Sequence, residues 1–182
     1  MAGRQHNKKG EENMKKIAIV MITLLITAYC VSPALAKGKN IQFQMILPQD
    51  SKATGVKYKF VSKKGQSGED LMVGKDVLFS NDDIDTIIIT AKDENALSNF
   101  PLIDIRFKQE AALKLKELTT KNTKERLAII VDKEIITAPF ILFPLTRGRI
   151  QFSTWKIPTN EEAQKFVSAL GFNPVFVEAK KK

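Results

Sequence analysis

Residues 118–153 read LTTKNTKERLAIIVDKEIITAPFILFPLTRGRIQFS, and their order decides the fold. Leu127–Val131 is an unbroken apolar run, the composition of a strand buried on both faces. Asp132 and Lys133 then sit between two apolar runs, which is ordinary turn chemistry. Next comes an apolar segment, residues 138–145, containing Pro139 and Pro144. Proline cannot donate to a ladder, so this segment is an edge strand or a loop. Ile150 and Phe152 alternate with Arg149 and Gln151, the period-2 signature of a strand.

Outward from this stretch the pattern stays regular. Upstream, Leu102–Phe107 places Ile103, Ile105 and Phe107 on one face and Asp104 and Arg106 on the other. Residues 109–120 carry Ala111, Ala112, Leu115 and Leu118 at helical spacing. Downstream, Thr159 and Glu162 form a capping box that opens a helix with Ala163, Phe166, Val167 and Leu170 as its buried stripe. Gly171 is the expected C′ residue, and Val175–Val177 supplies a last strand. Strand, helix, strand, strand, helix, strand is the split βαβ order, so the class is α+β with a ferredoxin-like core over residues 100–178.

Residues 37–99 add N-terminal strands to that core. Strands are expected at 41–47, 56–61, 77–79 and 86–90, with a loop over 63–70, a capped turn after Ser80 and a linker over 93–99. In the plain ferredoxin-like arrangement the second strand of the core lies at a sheet edge. Leu127–Val131 is apolar on both faces and needs cover. A hairpin of residues 41–47 with 56–61 is the expected cover.

The N-terminus carries Lys15-Lys16, an apolar run over 17–31 and then Ala34-Leu35-Ala36. This is the layout of a secretory signal cut after Ala36, and the apolar run is shorter than the ~20 residues that span a bilayer. Residues 1–36 are thus expected to be a signal peptide, with Met14 as an alternative start and an uncleaved membrane anchor as the alternative outcome. A lipid anchor on Cys30 is disfavoured by the bulky Tyr29 beside it. Periplasmic or secreted localisation follows.

Cutting there leaves 146 residues and removes His6 and Cys30, the sole histidine and cysteine. A chain without either has no imidazole base, no thiolate nucleophile, no soft metal ligand and no disulfide. Lys+Arg falls from 29 to 24 and Asp+Glu from 20 to 18, leaving a net charge of +6. That bias suits acidic peptide segments or an anionic membrane surface.

Each candidate for chemistry has a plainer reading. Asp132 ends a strand, where catalytic carboxylates sit, but a turn residue explains it. Asp82, Asp83 and Asp85 offer oxygen ligands without the order of an EF-hand; stabilising a helix start is simpler. Lys57, Lys59, Lys63 and Lys64 interleave with Tyr58 and Phe60, a pattern that suits nucleic acid. A half-buried strand with lysines outward explains it without a ligand, so no nucleic acid is expected. Glu161 and Glu162 project about 100° apart on a helix and cannot flank one bond, which argues against a carboxylate hydrolase. No metal, cofactor or small-molecule substrate is expected.

Pro139, Phe140, Ile141 and Phe143 are harder to dismiss. Burial in the core is the simple reading, and an exposed patch for extended peptide is the alternative. Arg147 and Arg149 follow directly, and Trp155 is a further interface candidate, because tryptophan and arginine dominate binding hot spots.

One family shares this order. Leu118-Thr119, Asn122, Arg126 through Asp132, Ala138-Pro139, Ile141, Gly148-Arg149, Gln151, Glu162-Ala163 and Leu170 resemble the soluble extracytoplasmic head domain of SecD, a membrane protein that assists protein export. A weaker match starts at Val77-Leu78-Phe79-Ser80 with Asp83, so the resemblance covers roughly residues 75–178. It departs at Lys124, Glu125 and Lys133, where glycine, lysine and glycine are usual; lysine for glycine at Lys133 widens or strains that turn. The resemblance implies a non-enzymatic binding module that contacts exported or unfolded polypeptide or an envelope partner. It also implies that the proton-coupled membrane part of SecD is missing, since after Val31 no apolar run approaches ~20 residues. The alternative is a structural or regulatory envelope protein that acts through self-association or a folded partner.

Overall fold

A computed structural model describes residues 38–48, 52–91 and 99–178. The expected signal peptide, most of the 93–99 linker and the basic tail of three lysines at 180–182 lie outside the described residues. The strands are β1 (Ile41–Met45), β2 (Gly55–Phe60), β3 (Glu69–Gly74), β4 (Phe79–Ser80), β5 (Ile84–Thr90), β6 (Leu102–Phe107), β7 (Leu127–Val131), β8 (Glu134–Thr137), β9 (Arg149–Phe152) and β10 (Val175–Val177). Among the described residues the helices are α1 (Gln109–Lys121) and α2 (Asn160–Ala169), with a 3-10 turn at Asn81–Asp83.

The α+β class is as expected, but the strands are shared out differently from a ferredoxin-like sheet. One sheet runs β4-β1-β7-β8, a second runs β10-β5-β6-β9, and β2 and β3 form a separate hairpin. A ferredoxin-like order would hold β6, β7, β9 and β10 in one sheet. Here β5 stands between β6 and β10, and β7 is an interior strand of the other sheet.

The reason lies in β7 itself. All five of its residues are buried, so it needs neighbours at both edges and cover on both faces. Antiparallel β1 pairs along its full length, from Ile41 opposite Val131 to Met45 opposite Leu127, and β8 takes the other edge. Leu127, Ile129 and Val131 enter the main core with Ile87, Ile103, Leu115 and Val167. Ala128 and Ile130 face the other way, into a second cluster with Phe60, Leu71, Val73 and Ile135.

The expected cover is therefore split. β1 does border β7, but β2 pairs with β3 rather than with β1, and the β2–β3 hairpin lies over the opposite face. Strand β3 begins inside the segment read as a loop, and β8 had no counterpart in the sequence reading. Between β7 and β8 the turn is tight: Asp132 and Lys133 have φ of +48° and +69°. Positive φ at both central residues is the geometry of a two-residue type I′ hairpin, here built without glycine.

Local signals hold the other elements in place. Thr159 Oγ1 accepts from Glu162 N at 3.2 Å while Thr159 N donates to Glu162 Oε2 at 3.1 Å, the reciprocal cap of α2. Gly171 has φ +87° just past the end of that helix, a conformation that costs glycine little. Asn81 Oδ1 accepts from Ile41 N at 2.8 Å and Asn81 Nδ2 donates to Leu170 O at 2.8 Å, tying the start of β1 to the end of α2. Phe43, Phe79 and Phe107, from β1, β4 and β6, meet edge-on or tilted with centroids 5.0–6.2 Å apart, joining the two sheets through the core.

Candidate functional site

Residues 138–145 form neither a ladder strand nor a floppy connection. The backbone is pinned at successive points. Leu127 N donates to Pro139 O at 3.0 Å, Ile141 N donates to Glu125 O at 2.8 Å, and Lys124 N donates to Ile141 O at 2.8 Å. At the far end Leu145 N donates to Thr119 Oγ1 of α1 at 2.9 Å. Phe140 meets Arg126 in a single isolated antiparallel bridge, and the prolines, which lack an N–H, keep the pairing from growing into a ladder.

The pinned backbone sorts the apolar side chains. Ala138 and Ile141 are buried, Ile141 at 5% exposure, and Ile141 belongs to the main core. Phe140, Leu142 and Phe143 point outward at 60%, 67% and 74%. Part of the run is thus buried and part of it exposed. Three large apolar side chains are held outward on a backbone that is hydrogen-bonded in place. Beneath them lies an open cavity of about 180 Å³ lined by Leu127, Ile141, Leu145, Ile150 and Gln151 together with the loop.

Arg126 supports one side of this surface. Its Nε donates to Ala138 O at 3.1 Å, and both Nη atoms reach Glu69 Oε1 at 3.0 Å. The guanidinium lies 5.7 Å from the Phe60 ring and 5.4 Å from the Phe140 ring, within cation–π range of both. It thereby links the 138–145 segment to the β2–β3 hairpin.

The other side is basic. Arg147 is exposed, and Arg149 donates through Nη1 to Asp104 Oδ2 at 3.3 Å. Asp104, expected on the outer face of β6, is buried; Arg106 Nε also approaches Oδ2, at 3.8 Å. Arg147 has no ion-pair partner among the described residues.

Of the residues singled out in the sequence, Pro139, Phe140, Phe143, Arg147 and Arg149 come together around this segment, and Ile141 is its buried anchor. Trp155 does not join them. It is half-buried, donates through Nε1 to Val61 O at 3.4 Å and lines a separate recess of about 850 Å³ with Phe60, Lys63 and Phe100. Leu142 was legible only as part of the 138–145 run, and Thr119 and Arg126 only as residues of the family pattern; the bonds that give the latter two their roles go to partners distant in sequence. Of the acidic cluster, Asp83 has a structural role: its Oδ2 accepts from Ser80 N at 2.8 Å and caps the 3-10 turn. The lysines of β2 point out while Phe60 points in, and Lys57 pairs with Asp70 at 2.8 Å.

Comparison with known proteins agrees with this architecture. The family model of the SecDF P1 head subdomain matches residues 56–172. Protein translocase subunit SecD of Acidaminococcus fermentans is 27% identical over 115 residues, covering 63% of this chain and 25% of that protein. SecD of Thermobaculum terrenum is 41% identical over 71 residues, covering 35% of this chain and 14% of that protein. The chain therefore spans a quarter or less of the length of these relatives. Among solved structures, a membrane component SecDF that enhances protein export superposes with a TM-score of 0.52 at 20% identity, over 73% of this chain and 62% of that one. SecDF in its super-membrane-facing form gives a TM-score of 0.54 at 23% identity, over 72% of this chain and 18% of that one. At these identities the structures speak for the fold alone. With the family model spanning most of the described strands and helices, this chain belongs to the SecDF P1 head family.

Proposed function

We propose that this protein is an exported, non-enzymatic binding module that contacts exported or unfolded polypeptide outside the cytosol. The observation that carries this reading is the pinned 138–145 segment with Phe140, Leu142 and Phe143 outward. An apolar surface of this kind costs solubility unless it is used. Family membership supports a role in protein export, and the layout of residues 1–36 supports delivery across the membrane. No helix among the described residues is long and apolar enough to cross a membrane.

Photo-crosslinkers placed at Phe140 and Phe143 in cells are expected to label newly exported chains. The control is Leu113, an exposed apolar residue on α1. Labelling no higher than at Leu113 would count against the proposal.

A second reading, self-association, has one observation in its favour. Strand β10 ends its sheet, and Val175, Phe176 and Val177 are all exposed. Strand β7 offers no edge to a second copy, because the chain's own β1 and β8 occupy both sides of it. Light scattering on the full chain separates the two readings: a stable dimer lost on Phe176→Lys favours self-association, and a monomer favours polypeptide binding.

A further inference from the structure

We infer that the groove between the 138–145 segment and β9 selects polypeptide segments in which an apolar side chain lies beside an acidic one. This rests on the polypeptide-binding reading above and adds a chemical preference to it. The apolar cavity of about 180 Å³ shares Phe143, Leu145 and Gln151 with an adjoining recess of about 600 Å³ whose other walls include Arg147 and Arg149. A cavity of ~150 Å³ lined by aliphatic residues accepts benzene, so the apolar end has room for one phenyl or leucyl side chain. The basic end begins at the same phenylalanine.

The charge balance there favours a carboxylate. Arg106, Arg147 and Arg149 line one further recess of about 320 Å³ with Asp85. Asp104 is the other acid present, bonded to Arg149 and near Arg106. Three guanidiniums thus face two carboxylates, and Arg147 is the one without a partner among the described residues. An acidic side chain there gains charge-assisted hydrogen bonds from a planar donor fork. The sheet order ends at β9, so an extended segment can lie along its outer edge while its side chains reach both ends of the groove.

The test uses the full chain and three labelled peptides of equal length, read by fluorescence anisotropy. One pairs phenylalanine with aspartate, one pairs phenylalanine with lysine, and one pairs serine with aspartate. The first is expected to bind about three- to fivefold tighter than the second at low salt, the scale of one exposed ion pair. The gap closes at ~0.5 M salt, where exposed charges are screened. Arg147→Ala is expected to erase the gap, Arg147→Lys to keep most of it, and Arg147→Glu to reverse it. Equal binding of both phenylalanine peptides would overturn the acidic preference and leave polypeptide binding standing. Binding of none of the three would remove the polypeptide reading itself. Vesicles of anionic phospholipid are the last arm: if Arg147→Glu abolishes vesicle binding and leaves the peptide ratios unchanged, the arginines serve a membrane surface and the inference is wrong.

Discussion

Thr119 and Leu145 are joined by one hydrogen bond that fixes the far end of the apolar segment: Leu145 N donates to Thr119 Oγ1 at 2.9 Å. The same hydroxyl donates to Leu115 O at 2.7 Å, so both of its roles are used inside α1's buried face. Thr119→Val keeps the shape and leaves a half-buried N–H unpaired. The expected cost is about 1–2 kcal/mol. Denaturant midpoints check it, with Thr120→Val as the control, since the Thr120 hydroxyl only returns to Lys116 O on the exposed side of the helix.

Arg126 holds the near end, and its energetics separate from those of its ion pair. Glu69 is half-exposed, so Glu69→Gln is expected to change stability by less than ~0.5 kcal/mol. Arg126→Ala also removes the bond to Ala138 O and the contacts with Phe60 and Phe140, and about 1–3 kcal/mol is expected to go. Equal effects in urea titrations would show that the ion pair, rather than the stacked guanidinium, supports the loop.

How much of this was legible in the chain depended on range. Leu102–Phe107 and Leu127–Val131 were read with their observed ends, and Thr159 with Glu162 marked the start of α2, because period and caps are local properties. Strand partners are not local. The apolar faces of residues 41–45 were plain, but nothing in them says that Ile41 lies opposite Val131 rather than beside β2. Strand β3 opens with Glu69 and Asp70, which read as loop, and only Leu71 and Val73 face inward. The two-faced burial of β7 was the one clue that a single sheet would not suffice. For the site, the run at 138–145 was visible, but which of its side chains are buried is set by bonds to residues 119, 125 and 127, and periodicity cannot show that.

Gly148 is constrained by both conformation and space. Its φ is +60°, and an added Cβ would lie 2.5 Å from Ala112 Cβ. Gly148→Ala is expected to cost about 1–3 kcal/mol. Combining it with Ala112→Gly relieves the clash and not the strained φ, so the double variant should be less destabilised than the two single effects added together. Strict additivity in thermal melts would mean that the contact is not the cause.

Asp70 gives a sign-defined pH effect. Lys57 donates to its carboxylate at 2.8 Å and its charge adds to the effect, so the carboxyl is held below the ordinary aspartate value of ~3.9. A folded-state value below the unfolded one means that the pair's contribution is present at neutral pH and is lost as pH falls through the folded value. The pair is exposed, so the contribution is small. An NMR titration should place Asp70 below that range in the native chain and back within it in Lys57→Ala.

The proposal that Phe140 and Phe143 bind polypeptide predicts that binding is lost when both rings are removed. Its most direct test is equilibrium binding of a reduced, permanently unfolded polypeptide to the native chain and to a Phe140→Ser, Phe143→Ser double variant. Both side chains are largely exposed, so the variant should stay folded, losing no more than the ~0.5–1 kcal/mol of the Arg126–Phe140 contact, and bind at least about tenfold more weakly, the range of truncating interface anchors. Equal binding by the two proteins, or none by the native chain, would contradict the account.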